Sequence, residues 1–298
     1  MRRLTPLVVW LALAQHAHAE EIVHHERSLY QNILVVDNGE RRCLQFTLRE
    51  SPRSQSCKDL DAPRRLVFGY TKMMLASLLV LENPRRILVI GLGGATLPQT
   101  LAALFPDVPI DIVEIDPAVV QVAEKYFDFA PSANVRVVVE DARVWGKRAA
   151  GGDTRYDLIL LDAFNGDYIP EHMMTLEYLE ETRALLTDRG VLAANTFATS
   201  ELYAHESATY ARAFGPFFNV KMSTNSNRII IAVRTPPLPN RSALDAAARR
   251  IAERLAPFGM DAFDFPARMD TRTDWRSDAR VLTDQYSPAN LLRERRGD

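Results

Sequence analysis

The middle of the chain alternates short, continuous apolar runs with segments whose apolar residues recur at helical spacing. The apolar runs predict buried strands at 86–90, 110–115, 135–139, 156–161 and 191–196. The segments between them predict helices, and strands that alternate with helices are typical of a parallel sheet covered on both faces. Two further runs, at 217–223 and 228–233, are separated by too few residues for a parallel crossover. They predict an antiparallel hairpin at the end of the sheet.

The segments on either side of this sheet follow other patterns. Residues 28–57 are strand-like, with a turn at 37–39, and predict a small β region. Residues 66–81 carry apolar side chains at helical spacing and predict a helix that leads into the sheet. After the proline-rich stretch 236–239, residues 242–255 predict one more helix, and we expect the rest of the chain to be irregular.

The first 19 residues have the composition of a secretory signal peptide. A positively charged start precedes an apolar run at 7–14, and Ala17 and Ala19 are small residues at the positions that a signal peptidase reads. The run is shorter than the roughly 20 residues that span a bilayer, so an uncleaved anchor or an amphipathic start is the alternative. We expect cleavage before Glu20 and a periplasmic or secreted protein without a stable membrane span. Without such a signal the protein would be cytoplasmic.

Two cysteines lie in the β region. Cys43 and Cys57 flank a polar, proline-containing stretch at 49–54 that predicts the turn of a hairpin. If the hairpin is symmetric about Glu50, the two cysteines are cross-strand partners, close enough for a disulfide in an oxidising compartment. Two unrelated buried thiols are the alternative, because strand register can slip by a residue.

The composition excludes several classes of protein. The chain of 298 residues is 47% hydrophobic and 25% charged, as in an ordinary globular protein rather than a disordered or fibrous one. Its formal net charge of −2 gives no sign of a nucleic-acid partner, and its Cys and His residues lack the spacing of a metal site. We therefore expect neither a metal cofactor nor a nucleic-acid partner.

Glycines and carboxylates follow the first two predicted strands, at the edge where ligands bind in doubly wound sheets. Gly91, Gly93 and Gly94 follow the first strand, where they let the backbone approach a ligand before the next helix begins. The same glycines could serve only a tight turn. Glu114 ends the second strand, 23 residues after Gly91, which is the spacing of an acid that binds ribose hydroxyls. Asp116 is instead predicted to cap the next helix.

The third and fourth strands also end in carboxylates. Asp141 and Ala142 follow the third strand, where a carboxylate can bind the exocyclic amine of an adenine or simply cap a helix. Asp162 comes directly after the fourth apolar strand, across from the glycine loop. A carboxylate there is costly unless it is solvated, paired or used in chemistry. Asp162 is therefore the leading candidate for a catalytic residue.

Taken in order, these features resemble the polyamine aminopropyltransferases, the family typified by spermidine synthase. The resemblance runs from about residue 28 to 292 and includes Tyr30-Gln31-Asn32, Tyr70, the glycine loop, Val113-Glu114-Ile115-Asp116, Asp141, Asp162 and Leu282-Thr283-Asp284-Gln285-Tyr286. It implies a class I methyltransferase-like fold, an α/β doubly wound sheet with an antiparallel terminal hairpin after a small N-terminal β region. With the patterns above, it divides the chain into a signal peptide (1–19), an N-terminal β-hairpin region (20–65), a Rossmann-like nucleoside-binding domain (66–235) and a C-terminal helix with an irregular extension (236–298).

The resemblance implies transfer of an aminopropyl group from decarboxylated S-adenosylmethionine to a small-molecule amine. Gln31, Glu114 and Asp141 would hold the methylthioadenosine part of the donor, and Asp162 would bind the amine and accept its proton. To the nucleoside we also assign Gly91, Gly93, Gly94 and Ala142, and to the amine Tyr70, Asn165 and Asp167. Because the family commonly forms dimers, we expect a homodimer.

Several positions depart from the family pattern. Gly94 stands where the family has an aspartate that pairs with the amino end of the donor. Thr71 and Lys72 replace a polar and an acidic residue, and Asn165 replaces a second acid, for which Asp167 could substitute. The amine half of the site therefore loses negative charge, whereas the adenosine half is kept.

Three functions fit this pattern. The first is aminopropyl transfer to a changed amine acceptor. The second is methyl transfer from S-adenosylmethionine, because Gly94 would admit the methionine carboxylate that an aspartate repels. The third is non-catalytic binding of a nucleoside or polyamine. Export favours this third function, because decarboxylated S-adenosylmethionine is made in the cytoplasm.

Overall fold

The computed structural model describes residues 20–47, 53–164, 169–223 and 226–286, and their strands form two sheets. The first is an antiparallel sheet of four strands in chain order. Its strands are β1 (Glu21–Arg27), β2 (Asn32–Asn38), β3 (Arg41–Thr47) and β4 (Arg53–Asp59). Ile33 and Val35 of β2 and Leu44 of β3 are completely buried, so one face of this sheet packs against the rest of the protein.

The second sheet has eight strands and carries helices on both faces. Its strands are β5 (Ile87–Ile90), β6 (Ile110–Glu114), β7 (Val135–Val139), β8 (Tyr156–Leu161), β9 (Leu186–Phe197), β10 (Phe217–Lys221), β11 (Asn227–Val233) and β12 (Met269–Asp270). The α-helices are α1 (Gly69–Leu75), α2 (Thr96–Leu104), α3 (Pro117–Tyr126), α4 (Ala142–Ala150), α5 (Leu176–Ala184), α6 (Tyr203–Phe214) and α7 (Arg241–Leu255). Short 3-10 helices lie at Ala76–Leu79, Glu171–Met173, Ala256–Phe258 and Ala262–Asp264.

The strand order of the large sheet is β12-β10-β11-β9-β8-β5-β6-β7. Within this sheet, the chain enters at the central strand β5. It then forms β6 and β7 on one side of β5, and β8 and β9 on the other side. These five strands run parallel, whereas β11 pairs antiparallel with β9, and β10 with β11. The predicted doubly wound sheet with an antiparallel hairpin is confirmed. Its order reverses at β5, so the carboxyl ends of β5, β6 and β8 surround one crevice.

Apolar side chains fill a core on each face of the large sheet. One core packs the sheet against α1, α2, α3 and α7, and the other packs it against α4, α5 and α6. All four residues of β5 are buried because both faces of this central strand are covered. The strand is therefore continuously apolar rather than alternating.

The β3–β4 hairpin carries a disulfide between Cys43 and Cys57. The two residues are direct cross-strand partners, and their Cα atoms lie 4.1 Å apart. The predicted pairing of the two cysteines is confirmed, although the register shifts between Leu44 and Gln45. The bridge holds β4 against β3, next to residues that face the glycine loop.

Parts of the fold differ from the sequence prediction. The N-terminal region is a four-stranded sheet rather than a hairpin, because the largely polar β1 pairs with β2. The C-terminal segment predicted to be irregular supplies β12, which pairs with β10 outside the hairpin. The helix predicted at 66–81 is split into α1 and a 3-10 helix, where the Ser77 hydroxyl donates to the Met74 carbonyl oxygen over 2.7 Å. Such a side-chain bond competes with the regular helical pattern.

The predicted signal peptide, residues 1–19, lies outside the described residues. Among the helices that the structure describes, none is long and apolar enough to cross a membrane.

Candidate active site

A cavity of about 740 Å³ opens at the carboxyl ends of β5, β6 and β8. Loops after these strands line one side, and Ser54, Gln55 and Ser56 of β4 form a wall on the other. The N-terminal sheet therefore contributes directly to the cavity. The structure brings together most of the predicted site residues there, namely Gln31, Tyr70, Gly91, Gly93, Glu114, Asp141, Ala142 and Asp162.

Asp162 lines the cavity directly after β8. Asn195 Nδ2 donates a hydrogen bond to its Oδ1 over 2.8 Å, and the Tyr70 hydroxyl also hydrogen-bonds to the carboxylate. Burial beneath the surrounding protein outweighs both hydrogen bonds and raises the pKa of Asp162 to about 7. A carboxyl group with this pKa exchanges protons near neutral pH, as a general base requires.

Tyr70 extends from α1 to the same end of the cavity. Its hydroxyl lies 3.3 Å from the carbonyl oxygen of Gln55. Burial, and then the charge of Asp162, raises the pKa of Tyr70 well above its usual value, so the hydroxyl stays protonated. Phe68 stacks on the Tyr70 ring with centroids 5.9 Å apart. Tyr70 thus combines a hydrogen-bond donor with an apolar surface.

The glycine loop is fixed by its neighbours as well as by its own sequence. Glu114 accepts the backbone N–H groups of Leu92 and Asp116, each at 2.9 Å, and burial raises the pKa of its carboxyl group. At Gly91, where φ is +95°, an added Cβ would lie 2.3 Å from the Asp162 carbonyl oxygen. The close approach of another backbone therefore requires Gly91, which supports the tight-turn alternative at this position.

Asp141 can fill both of its predicted roles. Its Oδ1 caps α4 by accepting the N–H groups of Arg143 and Val144 at 3.0 and 2.9 Å. Its Oδ2 lies 3.3 Å from Nε2 of His172, and both side chains line the cavity. The cap uses one carboxylate oxygen, and the second can accept a hydrogen bond from an exocyclic amine.

Gln31 carries a buried acceptor atom that lacks a protein partner in the described structure. The residue is 8% exposed, and its Oε1 makes no hydrogen bond. An unsatisfied buried polar atom costs about 1–3 kcal/mol, which a ligand hydroxyl would recover. Gln31, Glu114 and Asp141 therefore provide the acceptors that ribose hydroxyls and an adenine amine need, and the cavity fits a nucleoside.

Comparison with known proteins identifies relatives of this chain. The family described as the spermine/spermidine synthase domain matches residues 67–228, more than half of the chain. The chain belongs to the spermine/spermidine synthase family. It is 52% identical over 274 residues to a polyamine aminopropyltransferase of Vibrio vulnificus (strain CMCP6), with 91% of each chain covered.

Solved structures of this family and of a methyltransferase share the fold. A probable spermidine synthase from Corynebacterium glutamicum ATCC 13032 superposes with a TM-score of 0.64 at 20% identity, covering 88% of this chain and 99% of that one. Human methyltransferase-like protein 13 in complex with SAH gives 0.58 at 25% identity, covering 74% of this chain and 100% of that one. The predicted class I methyltransferase-like fold is confirmed.

The structure does not place Gly94 among the residues that line the cavity, which corrects its assignment to the nucleoside. An added Cβ at Gly94 would lie 2.8 Å from the Ser56 Oγ and 3.1 Å from Cδ1 of Phe127. The Ser56 hydroxyl is itself bonded to the Thr96 hydroxyl over 2.9 Å. An aspartate at this position, as in the spermine/spermidine synthase pattern, would therefore have to displace Ser56 and Phe127, because β4 packs against the glycine loop.

Thr71 and Lys72 do not line the cavity either. The Thr71 hydroxyl is buried against the Phe68 carbonyl oxygen at 2.7 Å, whereas Lys72 lies near Arg65 and Asp264. Residues two apart on a helix point in nearly opposite directions, so Lys72 cannot share the direction of Tyr70. The expected loss of negative charge in the amine half does not arise at these two positions.

Two of the predicted amine-binding residues, Asn165 and Asp167, lie outside the described residues. Their contact with an amine stays a prediction. Within the described ranges, no group of three or more His, Cys, Asp or Glu side chains could hold a metal ion.

Among the polar residues of the cavity that sequence reasoning missed are Asn195, Asn227 and His172. Asn195 carried a usable signal, since it is an amide directly after the apolar run 191–194 of β9. Asn227 and His172 lie at the start of a strand and in a short 3-10 helix, where polar residues are ordinary. Only the folded structure shows that they reach the cavity.

Proposed function

We propose that this protein is a polyamine aminopropyltransferase, with decarboxylated S-adenosylmethionine as donor and a small-molecule amine as acceptor. Family membership and the 52% identity to a polyamine aminopropyltransferase support the reaction class. The observation that carries the mechanism is the position of Asp162, a carboxylate that lines the cavity and is held by the Asn195 amide.

The chemistry requires a neutral amine in line with an activated carbon. The amine nitrogen attacks the propyl carbon next to the sulfonium, the carbon–sulfur bond breaks, and its electron pair neutralises the sulfur of methylthioadenosine. Before the attack, the bound ammonium gives one proton to Asp162, which frees the lone pair of the nitrogen. A free primary amine has a pKa of about 10.4, so an ionised acid must both bind the ammonium form and accept its proton. Methylthioadenosine leaves readily because its sulfur is positively charged before the bond breaks. Correct positioning of the amine supplies much of the remaining rate.

The donor would be held by the acceptors on the other side of the cavity. Gln31 and Glu114 suit the ribose hydroxyls, and the second oxygen of Asp141 suits the adenine amine. Tyr70 lies beside Asp162, where its ring can cover the carbon chain of the amine while its hydroxyl hydrogen-bonds to the carboxylate.

A second candidate function is methyl transfer from intact S-adenosylmethionine. The packing of Ser56 against Gly94 favours it, because it opposes the acid that pairs with the amino end of the decarboxylated donor in the family. The hydroxyl groups of Ser56 and Thr96 leave that end of the cavity uncharged, so a carboxylate meets no repulsion there. Non-catalytic binding of a nucleoside is the remaining alternative.

Calorimetric binding to the chain from Glu20 onward would distinguish these functions. We expect methylthioadenosine to bind and the decarboxylated donor to bind more tightly than S-adenosylmethionine. Incubation with putrescine and other amines should then release methylthioadenosine. A preference for S-adenosylmethionine with methylated product would support the second candidate, and binding without any product would support the third.

Asp162→Asn is the matched test of the base. It should lower kcat by about a thousandfold or more while the Kd for methylthioadenosine stays within a factor of about three, because the amide keeps the shape but accepts no proton. Full activity of this variant would remove Asp162 from the mechanism.

We also propose that the protein is exported after cleavage before Glu20. The signal-like residues 1–19 and the disulfide between Cys43 and Cys57 both support an oxidising compartment. Cell fractionation and mass spectrometry of the purified protein test this. A cytoplasmic protein that retains residue 1 and has two free thiols would contradict it.

A homodimer is the assembly we propose from the family resemblance. Sedimentation equilibrium of the purified protein would give about twice the mass of the processed chain for a dimer, and a mass equal to one chain would exclude it.

A further inference from the structure

The geometry points to Asn227 as a positioning residue that orients the amide of Asn195 so that its donor faces Asp162. Asn227 would not touch the reacting atoms but would act through its neighbour. This inference rests on the proposed function, in which Asp162 is the base.

A chain of two hydrogen bonds leads from β11 to the carboxylate. Asn227 Nδ2 donates to Asn195 Oδ1 over 2.9 Å, and Asn195 Nδ2 donates to Asp162 Oδ1 over 2.8 Å. In the antiparallel pairing of β9 and β11, Asn227 lies opposite Phe197. Side chains alternate along a strand, so Asn195, two residues before Phe197, lies on the same face as Asn227. The three hydrogen-bonded residues, Asn227, Asn195 and Asp162, all line the cavity.

The orientation of Asn195 matters because an amide donates at one end and only accepts at the other. With Oδ1 engaged by Asn227, Nδ2 must face Asp162. A reversed amide would place its oxygen against a carboxylate oxygen, which repels the ionised base and removes one of its two hydrogen-bond donors. The ionised form of Asp162 would then be populated only at higher pH.

Other titratable and charged groups near Asp162 come from several elements. The Tyr70 hydroxyl of α1 hydrogen-bonds to the carboxylate. The remaining described titratable groups on the cavity are Tyr30, Glu114, Asp141 and His172. On the opposite face of β9 and β11, Arg228 bonds to Thr196 and pairs with Glu206. Asp167 follows in sequence outside the described residues. None of these groups is altered in the variants below.

The test measures the pKa of Asp162 directly by ¹³C NMR. The protein is the processed chain that begins at Glu20, with ¹³C in the carboxyl groups of its aspartates. The signal that is lost in Asp162→Asn assigns the resonance. We expect Asn195→Leu to raise the pKa of Asp162 by about one pH unit or more, and Asn227→Ala to raise it by a smaller amount. The double variant should match Asn195→Leu alone, because Asn227 acts only through Asn195.

A matched control is available on the neighbouring strand. Asn219 of β10 is also a buried asparagine, but it bonds to Tyr203 and Asp274 instead of the cavity residues. Asn219→Ala should leave the pKa of Asp162 unchanged. If Asn195→Leu does not fold, as judged by near-ultraviolet circular dichroism, Asn195→Ala takes its place in both the single and the double variant.

Two results would overturn the inference. One is an unchanged pKa of Asp162 in Asn227→Ala, and the other is an additional rise when Asn227→Ala is combined with the Asn195 variant. In an active enzyme the acidic limb of kcat/KM should move to higher pH by the same amount as the NMR titration. The NMR titration needs no substrate, so a failure of aminopropyl transfer in the unaltered protein is distinguished from a failure of this inference.

Discussion

The backbones of Gly91 and Asp162 lie so close together that a Cβ at Gly91 would be 2.3 Å from the Asp162 carbonyl oxygen. The Asp162 N–H also donates to the Ile90 carbonyl oxygen over 2.8 Å. The loop that follows β5 and the candidate base that follows β8 are therefore fixed to each other by main-chain contacts. A displacement of one would displace the other.

Replacement of Gly91 by alanine tests this contact. The overlap and the positive φ both oppose a side chain, so Gly91→Ala should lower the free energy of unfolding by about 3 kcal/mol or more and abolish activity. Gly93→Ala is the matched control, since φ is also positive there but the nearest atom to an added Cβ is 3.9 Å away. It should cost about 1–2 kcal/mol. Urea denaturation of both variants gives the comparison, and equal losses would show that the contact with Asp162 is unimportant.

The pKa of Asp162 also predicts how stability depends on pH. This pKa is about 7 in the folded protein against an ordinary value of 3.8, so the folded state binds more protons between these values than the unfolded state. Ionisation therefore costs stability as the pH rises from about 4 to about 7, and the full cost is present above that range. Asp162→Asn should raise the free energy of unfolding by roughly 2–4 kcal/mol at about pH 8 and hardly change it at about pH 4. Urea titrations at both pH values test this, and an equal difference at the two would contradict it.

Restoration of the family aspartate requires a second change. Gly94→Asp alone should lower the free energy of unfolding by about 1–3 kcal/mol, because Ser56 and Phe127 occupy the space of a side chain. With Ser56→Gly the cost should fall, and calorimetry should show the preference for the decarboxylated donor over S-adenosylmethionine rising by about tenfold. Ser56→Gly alone is the control. An unchanged preference in the double variant would show that the donor tail lies elsewhere.

A substitution of Gln31 should weaken ligand binding while it leaves the stability of the protein nearly unchanged. Gln31→Met keeps the volume and removes Oε1, a buried acceptor that lacks a partner among the described residues. The Kd for methylthioadenosine should rise by about tenfold, while the free energy of unfolding should change by less than about 1 kcal/mol. Calorimetry and urea denaturation measure the two quantities. Unaltered affinity would place the ribose away from Gln31.

The disulfide should stabilise the N-terminal sheet. It joins residues 14 apart in sequence, and closing a loop of this size contributes about 3 kcal/mol in the chain-entropy description. The double variant Cys43→Ser and Cys57→Ser should therefore unfold at a lower urea concentration. Its free energy of unfolding should be lower by a comparable amount. A reducing agent should weaken the unaltered protein to the same extent and leave the variant unaffected. A fall in the stability of the variant on reduction would exclude this explanation.

The sequence predicted the parts of the molecule that depend on local pattern. β5 and the last four residues of β8 are apolar because both faces of the sheet are covered, and Asp162 is conspicuous because it follows such a run. The pairing of Cys43 with Cys57 was one of two alternatives that the sequence left open, and it depends on the register of one hairpin. Each of these features is set by residues close together in the chain.

The rest depends on contacts between distant segments. β1 has few apolar residues and is a strand only because β2 pairs with it. Gly94 was assigned to the ligand because nothing in its own loop shows that Ser56, 38 residues earlier, fills the space above it. Lys72 was interpreted as a loss of negative charge in the amine half from its position near Tyr70 in sequence, although the helix turns it towards Arg65 and Asp264.

The cavity lies between the two sheets rather than inside one of them. Ser28 bonds to Asp116 over 2.5 Å and Ser56 bonds to Thr96, so hydrogen bonds cross this boundary on both sides of the glycine loop. The region that matches the family begins at residue 67, and Gln31 and the β4 wall precede it. Gln31 and the β4 wall are therefore encoded before the stretch that carries Glu114, Asp141 and Asp162. Substitutions in the N-terminal sheet can therefore change one wall of the cavity while Asp162 and its strand stay the same.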